Sequence, residues 1–118
     1  MNKFDELKRN RFIKKLRSNA IAIVIGQIEI HSGYFKMNYL LGRINDIKVF
    51  EEIDLSIFET CYNEIQSHPI GDERKLCNKE FLDKLDSKLK RIDEKYLNIL
   101  TEKCSEIIET FKGIKYFC

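Results

Sequence analysis

Six side chains in this sequence are of the types that most often perform nucleophilic or metal chemistry. They are His31, His68, Cys61, Cys77, Cys104 and Cys118. Structural zinc sites usually contain C-x2–4-C or H-x3–5-H pairs, and neither spacing occurs. Cys61 and His68 could share a helix face, but Pro69 disfavours helix at His68, so the helix is expected to end between them. Because phosphate-binding and hydrolase motifs are also absent, the sequence predicts no catalytic residue, no metal, no cofactor and no enzyme activity.

Acidic side chains are concentrated in one segment. Residues 49–66 contain no basic residue and five acidic ones, which are Glu51, Glu52, Asp54, Glu59 and Glu64. Such a run is either a solvated helix face or a docking face for a basic protein, since complementary charge speeds association and rejects wrong partners. The sharpest form of the second interpretation is a bacterial immunity or antitoxin-like protein that covers a basic, nucleic-acid-cleaving toxin.

Basic side chains are concentrated in an earlier segment. The cations within residues 8–17 are Lys8, Arg9, Arg11, Lys14, Lys15 and Arg17. They form either a solvated helix surface or a set of phosphate contacts, and the second interpretation makes the protein an RNA- or DNA-associated helical module. The overall net charge of +2 and pI of about 8.3 do not favour nucleic acid, because such domains usually have a pI above about 9.

The loop from His68 to Arg74 contains the densest mixture of polar groups. Asp72 and Arg74 are candidate partner-binding residues there. The alternative is that they tie the loop to neighbouring helix ends through charge-assisted hydrogen bonds.

Helices must position these residues, because one proline and five glycines in 118 residues leave too few turns for a β-sandwich. The length favours a single helical domain over residues 1–118. Apolar residues from Phe4 to Ile28 follow helical spacing, although Ile21, Ile23 and Ile25 alternate as in a strand. Helix is the favoured interpretation, since no second strand is available as a partner.

The rest of the chain divides into three further helices. His31-Ser32-Gly33 predicts a break, followed by a short helix that ends near residues 43–46. Residues 48–66 predict one helix; Asp46 and Asp54 are the candidate caps, and Asp54 is also the position at which this helix could kink. From Asn78, an N-cap, to Gly113, a stop, the apolar residues follow helical spacing throughout. The predicted fold is therefore all-α, an irregular four-helix bundle with a long C-terminal helix.

Two short motifs connect the chain to a known family. A Pro-x-x-Asp/Glu-x-Arg loop precedes a helix with a Leu-Asp pair and a later acidic residue; these are Pro69, Asp72, Arg74, Leu85, Asp86 and Glu94. Upstream, Gly33-Tyr34, Met37 and Leu40-Leu41 form a second pattern. Together they resemble an uncharacterised bacterial family of small helical proteins, a domain of unknown function. The resemblance implies a helical fold, including the first segment, and carries no activity.

The expected compartment is the cytoplasm. No signal peptide is recognised, because MNKFDELKRN is polar from its second residue. The longest strictly apolar run, Ala20 to Ile25, is much shorter than the ~20 residues that span a bilayer. Reduced thiols are therefore expected, with Cys61 and Cys104 as small core residues and no membrane partner.

Overall fold

A computed structural model describes residues 2–66 and 75–114, and these contain four helices and no strand. The helices are α1 (Lys3–Val24), α2 (Ile30–Ile47), α3 (Ser56–Ile65) and α4 (Lys79–Thr110). The predicted all-α bundle with a long C-terminal helix is confirmed. Asp72 and Arg74 lie outside the described residues, as do His68 and Cys118. None of the described helices is both long and apolar enough to cross a membrane.

Helix α1 begins where the sequence predicts and passes through the isoleucine-rich segment. The Asn2 side chain accepts a hydrogen bond from the Asp5 N–H at 2.8 Å, and Asp5 and Glu6 lie in the first turn, where the helix dipole favours acids. The helical alternative for Ile21 and Ile23 is therefore confirmed.

The predicted boundaries of α2 are wrong at both ends. The break falls before His31-Ser32-Gly33, at a turn that contains Gly26 with a φ of +75°. Glu29 is the N-cap and accepts hydrogen bonds from the backbone N–H groups of His31 and Ser32 at 3.0 and 2.9 Å. The predicted connection at residues 43–46 is helical, because Ile44 is fully buried and extends the apolar stripe to Ile47.

The predicted helix over residues 48–66 is half as long in the structure. Lys48 is extended, with φ −160° and ψ 129°, and the next helix begins at Ser56. The Phe50 ring packs on Phe111 with centroids 5.2 Å apart, and this contact with the end of α4 holds the intervening segment out of helical geometry. Asp54 accepts hydrogen bonds from the backbone and hydroxyl of Ser56 at 3.0 and 2.7 Å. It lies one residue before the N-cap, which is Leu55, so the predicted cap is displaced by one residue.

Helix α4 is the spine of the molecule. The Asn78 side chain accepts a hydrogen bond from the Phe81 N–H at 2.8 Å, and Gly113 has a φ of +81° just beyond the other end, as predicted. The 32 residues of α4 reach about 48 Å at ~1.5 Å per residue, which accounts for the longest molecular dimension of 53 Å.

The core forms where each helix packs against two neighbours. α1 packs on α2 and α4, and α3 packs on the same two helices. The largest fully buried side chains are Phe58, Ile13, Leu16, Met37, Ile44, Ile65, Leu100, Ile107, Cys61 and Cys104. The prediction that Cys61 and Cys104 are core residues is confirmed, and burial raises the pKa of each thiol to about 12.

Two glycines of α2 should respond to alanine in opposite directions. A Cβ at Gly33 would lie 2.6 Å from Cγ1 of Ile23, whereas a Cβ at Gly42 would meet nothing within 4 Å. We expect Gly33→Ala to destabilise the fold by about 1–3 kcal/mol through overpacking. Gly42→Ala should instead stabilise it by about 0.5–1 kcal/mol, because alanine is the better helix former. Urea unfolding followed by circular dichroism measures both, and equal effects would refute the close α1–α2 contact.

Candidate functional site

A groove with acidic and apolar lining residues lies between α2 and the segment that leads into α3. We call it the acidic groove; its volume is about 520 Å³. Its acidic lining residues are Glu51, Asp54 and Glu59, and its apolar ones are Leu41, Val49, Phe50, Ile53 and Leu55. No lysine, arginine or histidine is among the described residues that line it. The groove therefore combines an apolar surface with charge of one sign.

The shape of the acidic groove depends on how residues 48–55 are anchored. Phe50 contacts Phe111 and lies beneath the Arg9 guanidinium, whose carbon is 5.0 Å from the ring centroid. With Phe50 held in place, its neighbours Val49 and Glu51 remain exposed, Val49 by 62%. On the other wall, Gly42 presents no side chain, so the groove stays open there.

Asp54 stays ionised in this environment. Hydrogen bonds from the backbone and hydroxyl of Ser56 lower the pKa of its carboxyl, since they favour the charged form. The charge of Asp54 in the groove is therefore favoured by the same hydrogen bonds that precede α3.

Two further acids, which the sequence analysis missed, lie beside the acidic groove. A second, more open groove is lined by Glu52 and Asp54 on one side and by Glu106 and Glu109 of α4 on the other. Lys103 also lines it and lies 3.2 Å from Glu106. We define the acidic surface as Glu51, Glu52, Asp54, Glu59, Glu106 and Glu109. The sequence does not indicate that Glu52 and Glu106 line the same groove, because this depends on how α4 packs against the segment that leads into α3.

The fifth predicted acid does not join this surface. Glu64 is near the end of α3, and its carboxylate lies 3.4 Å from the Lys95 ammonium of α4. Neither of the two grooves includes it among its lining residues. Glu64 therefore lies outside the acidic surface, and the structure unites the other four predicted acids, Glu51, Glu52, Asp54 and Glu59.

Two of the six cations predicted to contact nucleic acid point into the protein. Arg9 is only 8% exposed, and its Nε donates a hydrogen bond to the Lys48 carbonyl at 2.9 Å. Arg17 donates through Nε to the Ile108 carbonyl, also at 2.9 Å. Both arginines therefore have structural contacts, Arg9 with the segment that shapes the acidic groove.

The other four predicted cations are exposed, and three of them line a groove between α1 and α2. Lys8 is exposed on α1 outside it. We call this 490 Å³ groove the basic groove; its lining is Arg11, Lys14, Lys15, Ser18, Asn19, Ala22, Ile28 and Lys36. Lys36 comes from α2 and was not predicted as a site residue.

His31 links the beginning of α2 to α4. Its Nδ1 lies 2.8 Å from a Glu29 oxygen, and its Nε2 lies 2.9 and 3.0 Å from the two oxygens of Asp93. Partial burial raises the pKa of Glu29, but the backbone hydrogen bonds from His31 and Ser32 outweigh it, so the pKa is lowered. Because carboxylates contact both ring nitrogens, His31 connects the beginning of α2 to Asp93 of α4. Within residues 2–66 and 75–114, no group of three or more His, Cys, Asp or Glu residues could hold a metal ion.

In the part of the chain that the structure describes, fold and site together define a four-helix arrangement with an acidic surface and a separate basic groove. The chain belongs to the family described as protein of unknown function (DUF2489), whose model matches residues 2–107. This confirms the resemblance to an uncharacterised family of helical proteins. No curated protein and no solved structure matches the chain.

Proposed function

We propose that this chain is a non-catalytic binding protein that receives a basic protein partner on its acidic surface. The observation that carries the proposal is the acidic groove, which has three carboxylates, an apolar lining and no described basic residue. A groove whose lining combines apolar side chains with carboxylates is suited to a partner that presents both an apolar side chain and lysines or arginines. In its sharpest form, the protein is a bacterial immunity or antitoxin-like inhibitor that covers a basic toxin domain.

The groove also supports binding without catalysis. Its polar lining residues other than the acids are Asn38, Asn45 and Ser56. Acid–base catalysis needs a group whose pKa lies near the working pH, but the pKa of Asp54 is lowered. The Asp54 carboxylate is therefore suited to stay charged and pair with a cation.

The proposal is tested by tagged co-purification from the native host at low and moderate salt. The wild type is compared with a variant that reverses three acids of the surface, Glu51→Lys, Glu52→Lys and Glu59→Lys. We expect one stoichiometric basic protein with the wild type and its loss with this variant. Mass spectrometry and the ratio of absorbance at two ultraviolet wavelengths identify what is bound.

A matched control variant changes the net charge by the same amount, but at positions on α4 away from the acidic surface. Glu80→Lys, Asp83→Lys and Glu94→Lys alter exposed acids of α4; Glu80 and Glu106 are about 39 Å apart along the axis at ~1.5 Å per residue. We expect this control to keep the partner. Equal loss in both variants, or retention in both, would contradict a role for the acidic surface. Nucleic acid that washes off with salt would instead support the alternative of an RNA- or DNA-associated module, since phosphate contacts release counterions.

A further inference from the structure

The α2 wall of the acidic groove presents two asparagines in one row. Asn38 and Asn45 both line the groove, with Leu41 and Gly42 between them. They are seven residues apart, which is two turns of helix and about 10.5 Å along the axis at ~1.5 Å per residue. Within the described residues neither side chain forms a hydrogen bond. The row therefore offers an amide, with both donor and acceptor atoms, at each end of a short apolar surface.

A main chain in extended conformation is the partner that fits this row. Main-chain N–H and C=O groups can pair with both parts of an asparagine amide, but in the interior of a helix they are already paired with each other. In an extended chain of the polyproline II type they are free, and groups three residues apart point the same way at a separation of about 9.3 Å. This separation is close to the ~10.5 Å between Asn38 and Asn45 along α2. The asparagines therefore favour an extended segment over a helix.

Gly42 leaves room for such a main chain against α2. A Cβ at this position would meet no atom within 4 Å, so none of the described residues lies over it. Leu41 beside it is buried and contributes an apolar base to the groove. Because a glycine permits the close approach of another backbone, the segment can lie directly on α2 between the two asparagines.

The opposite wall selects the side chains of the segment. Its exposed acids are Glu51, Asp54 and Glu59, and they lie among the apolar residues Val49 and Ile53. Side chains that leave the main chain on the side away from α2 face this wall. Lysine or arginine at these positions pairs with the carboxylates through charge-assisted hydrogen bonds, and an apolar side chain covers Val49. Charge complementarity therefore requires that the extended segment be basic.

We propose that the acidic groove receives an extended segment of the basic partner that contains lysine or arginine, rather than a helix. The main chain of this segment lies over Gly42 between Asn38 and Asn45, and its cationic side chains pair with the acids of the opposite wall. The inference rests on the proposed function, since it specifies which part of the partner enters the acidic surface.

Fluorescence anisotropy with two labelled synthetic peptides of equal net charge tests this inference. One peptide consists of four Lys-Leu-Pro repeats, in which proline excludes helix and favours the extended conformation. The other contains four lysines among leucines and alanines and is held helical by a side-chain crosslink. We expect the repeat peptide to bind the wild type about tenfold or more tightly, since only its main-chain groups are free to pair. Equal or tighter binding of the helical peptide would overturn the inference.

Substitutions of the asparagines separate the main-chain contacts from the charge. Asn38→Leu with Asn45→Leu keeps the branching of each side chain and removes its polar atoms. We expect this double variant to bind the repeat peptide about tenfold less tightly and the helical peptide as the wild type does. Asn98→Leu, exposed on α4, is the control and should change neither affinity. An unchanged affinity for the repeat peptide in a double variant that circular dichroism shows to be folded would contradict the role of the asparagines.

The outcomes distinguish this inference from the proposed function. The triple reversal of Glu51, Glu52 and Glu59 to lysine should abolish the binding of both peptides, because both are basic. If the wild type binds neither peptide, the inference is wrong. The proposed function is then wrong as well only if the wild type also co-purifies no basic protein that the triple reversal loses.

Discussion

Replacing Phe58 by alanine is expected to lower the free energy of unfolding by about 3–5 kcal/mol. Phe58 is 0% exposed and heads the fully buried side chains in size. It anchors α3, which has only ten residues and no side-chain hydrogen bond at its N-cap Leu55. A helix this short is not stable alone, so its position depends on what it buries between α2 and α4. Urea unfolding at equilibrium gives the measurement.

The control for Phe58 is another phenylalanine, one that should contribute little to the stability of the fold. Phe4 on α1 is 72% exposed, and Phe4→Ala is expected to change the free energy of unfolding by less than about 0.5 kcal/mol. If Phe58→Ala lowered the free energy of unfolding as little as Phe4→Ala does, that result would contradict the packing of α3 described above.

Arg9→Ala should have the next largest effect on stability and lower the free energy of unfolding by about 2–3 kcal/mol. The substitution removes a charge-assisted hydrogen bond to the Lys48 carbonyl and leaves that oxygen without its donor. It also removes the guanidinium from the Phe50 ring. Because these contacts hold the segment that carries Glu51, the variant should also bind the acidic-surface partner more weakly. Unfolding in urea and binding by calorimetry measure the two effects.

Arg11 supplies the comparison for Arg9, since it lies on the same helix and is exposed. Arg11→Ala is expected to change stability by less than about 0.5 kcal/mol. Equal stability of the Arg9→Ala and Arg11→Ala variants would contradict a structural role for Arg9. Arg9 would then be a surface cation, as the sequence predicts. Arg9→Lys should remain destabilised, because lysine has no Nε–H to reach the same carbonyl.

The sequence predicts those parts of the fold that depend on residues close together in the chain. The spacing of apolar residues predicts α4 almost to its ends, and Asn2 and Asn78 are the caps that the sequence indicates. These features depend on residues within one or two turns of each other, so a single sequence contains them. The isoleucine pairs of α1 were ambiguous only because β-branched residues occur in both helices and strands.

Features that depend on distant contacts could not be predicted. Residues 48–55 follow helical spacing, yet the contacts of Phe50 with Phe111 and Arg9 hold them open. For the same reason, Glu106 and Glu109 were missed as neighbours of Glu52. Arg9 differs from Arg11 only in the face of α1 that it occupies, and that face is defined by the partner helices.

The charge of the acidic surface is the central claim, and the association rate constant with the co-purified partner tests it most directly. Stopped-flow measurement at low and moderate ionic strength compares the wild type with the triple reversal of Glu51, Glu52 and Glu59 and with the α4 control. Electrostatic steering raises association rates by at least about tenfold, so the triple reversal should slow association by that factor at low salt and weaken its salt dependence. The α4 control should retain most of the wild-type rate. An unchanged association rate constant in the triple reversal would contradict the assignment of this surface to a basic partner.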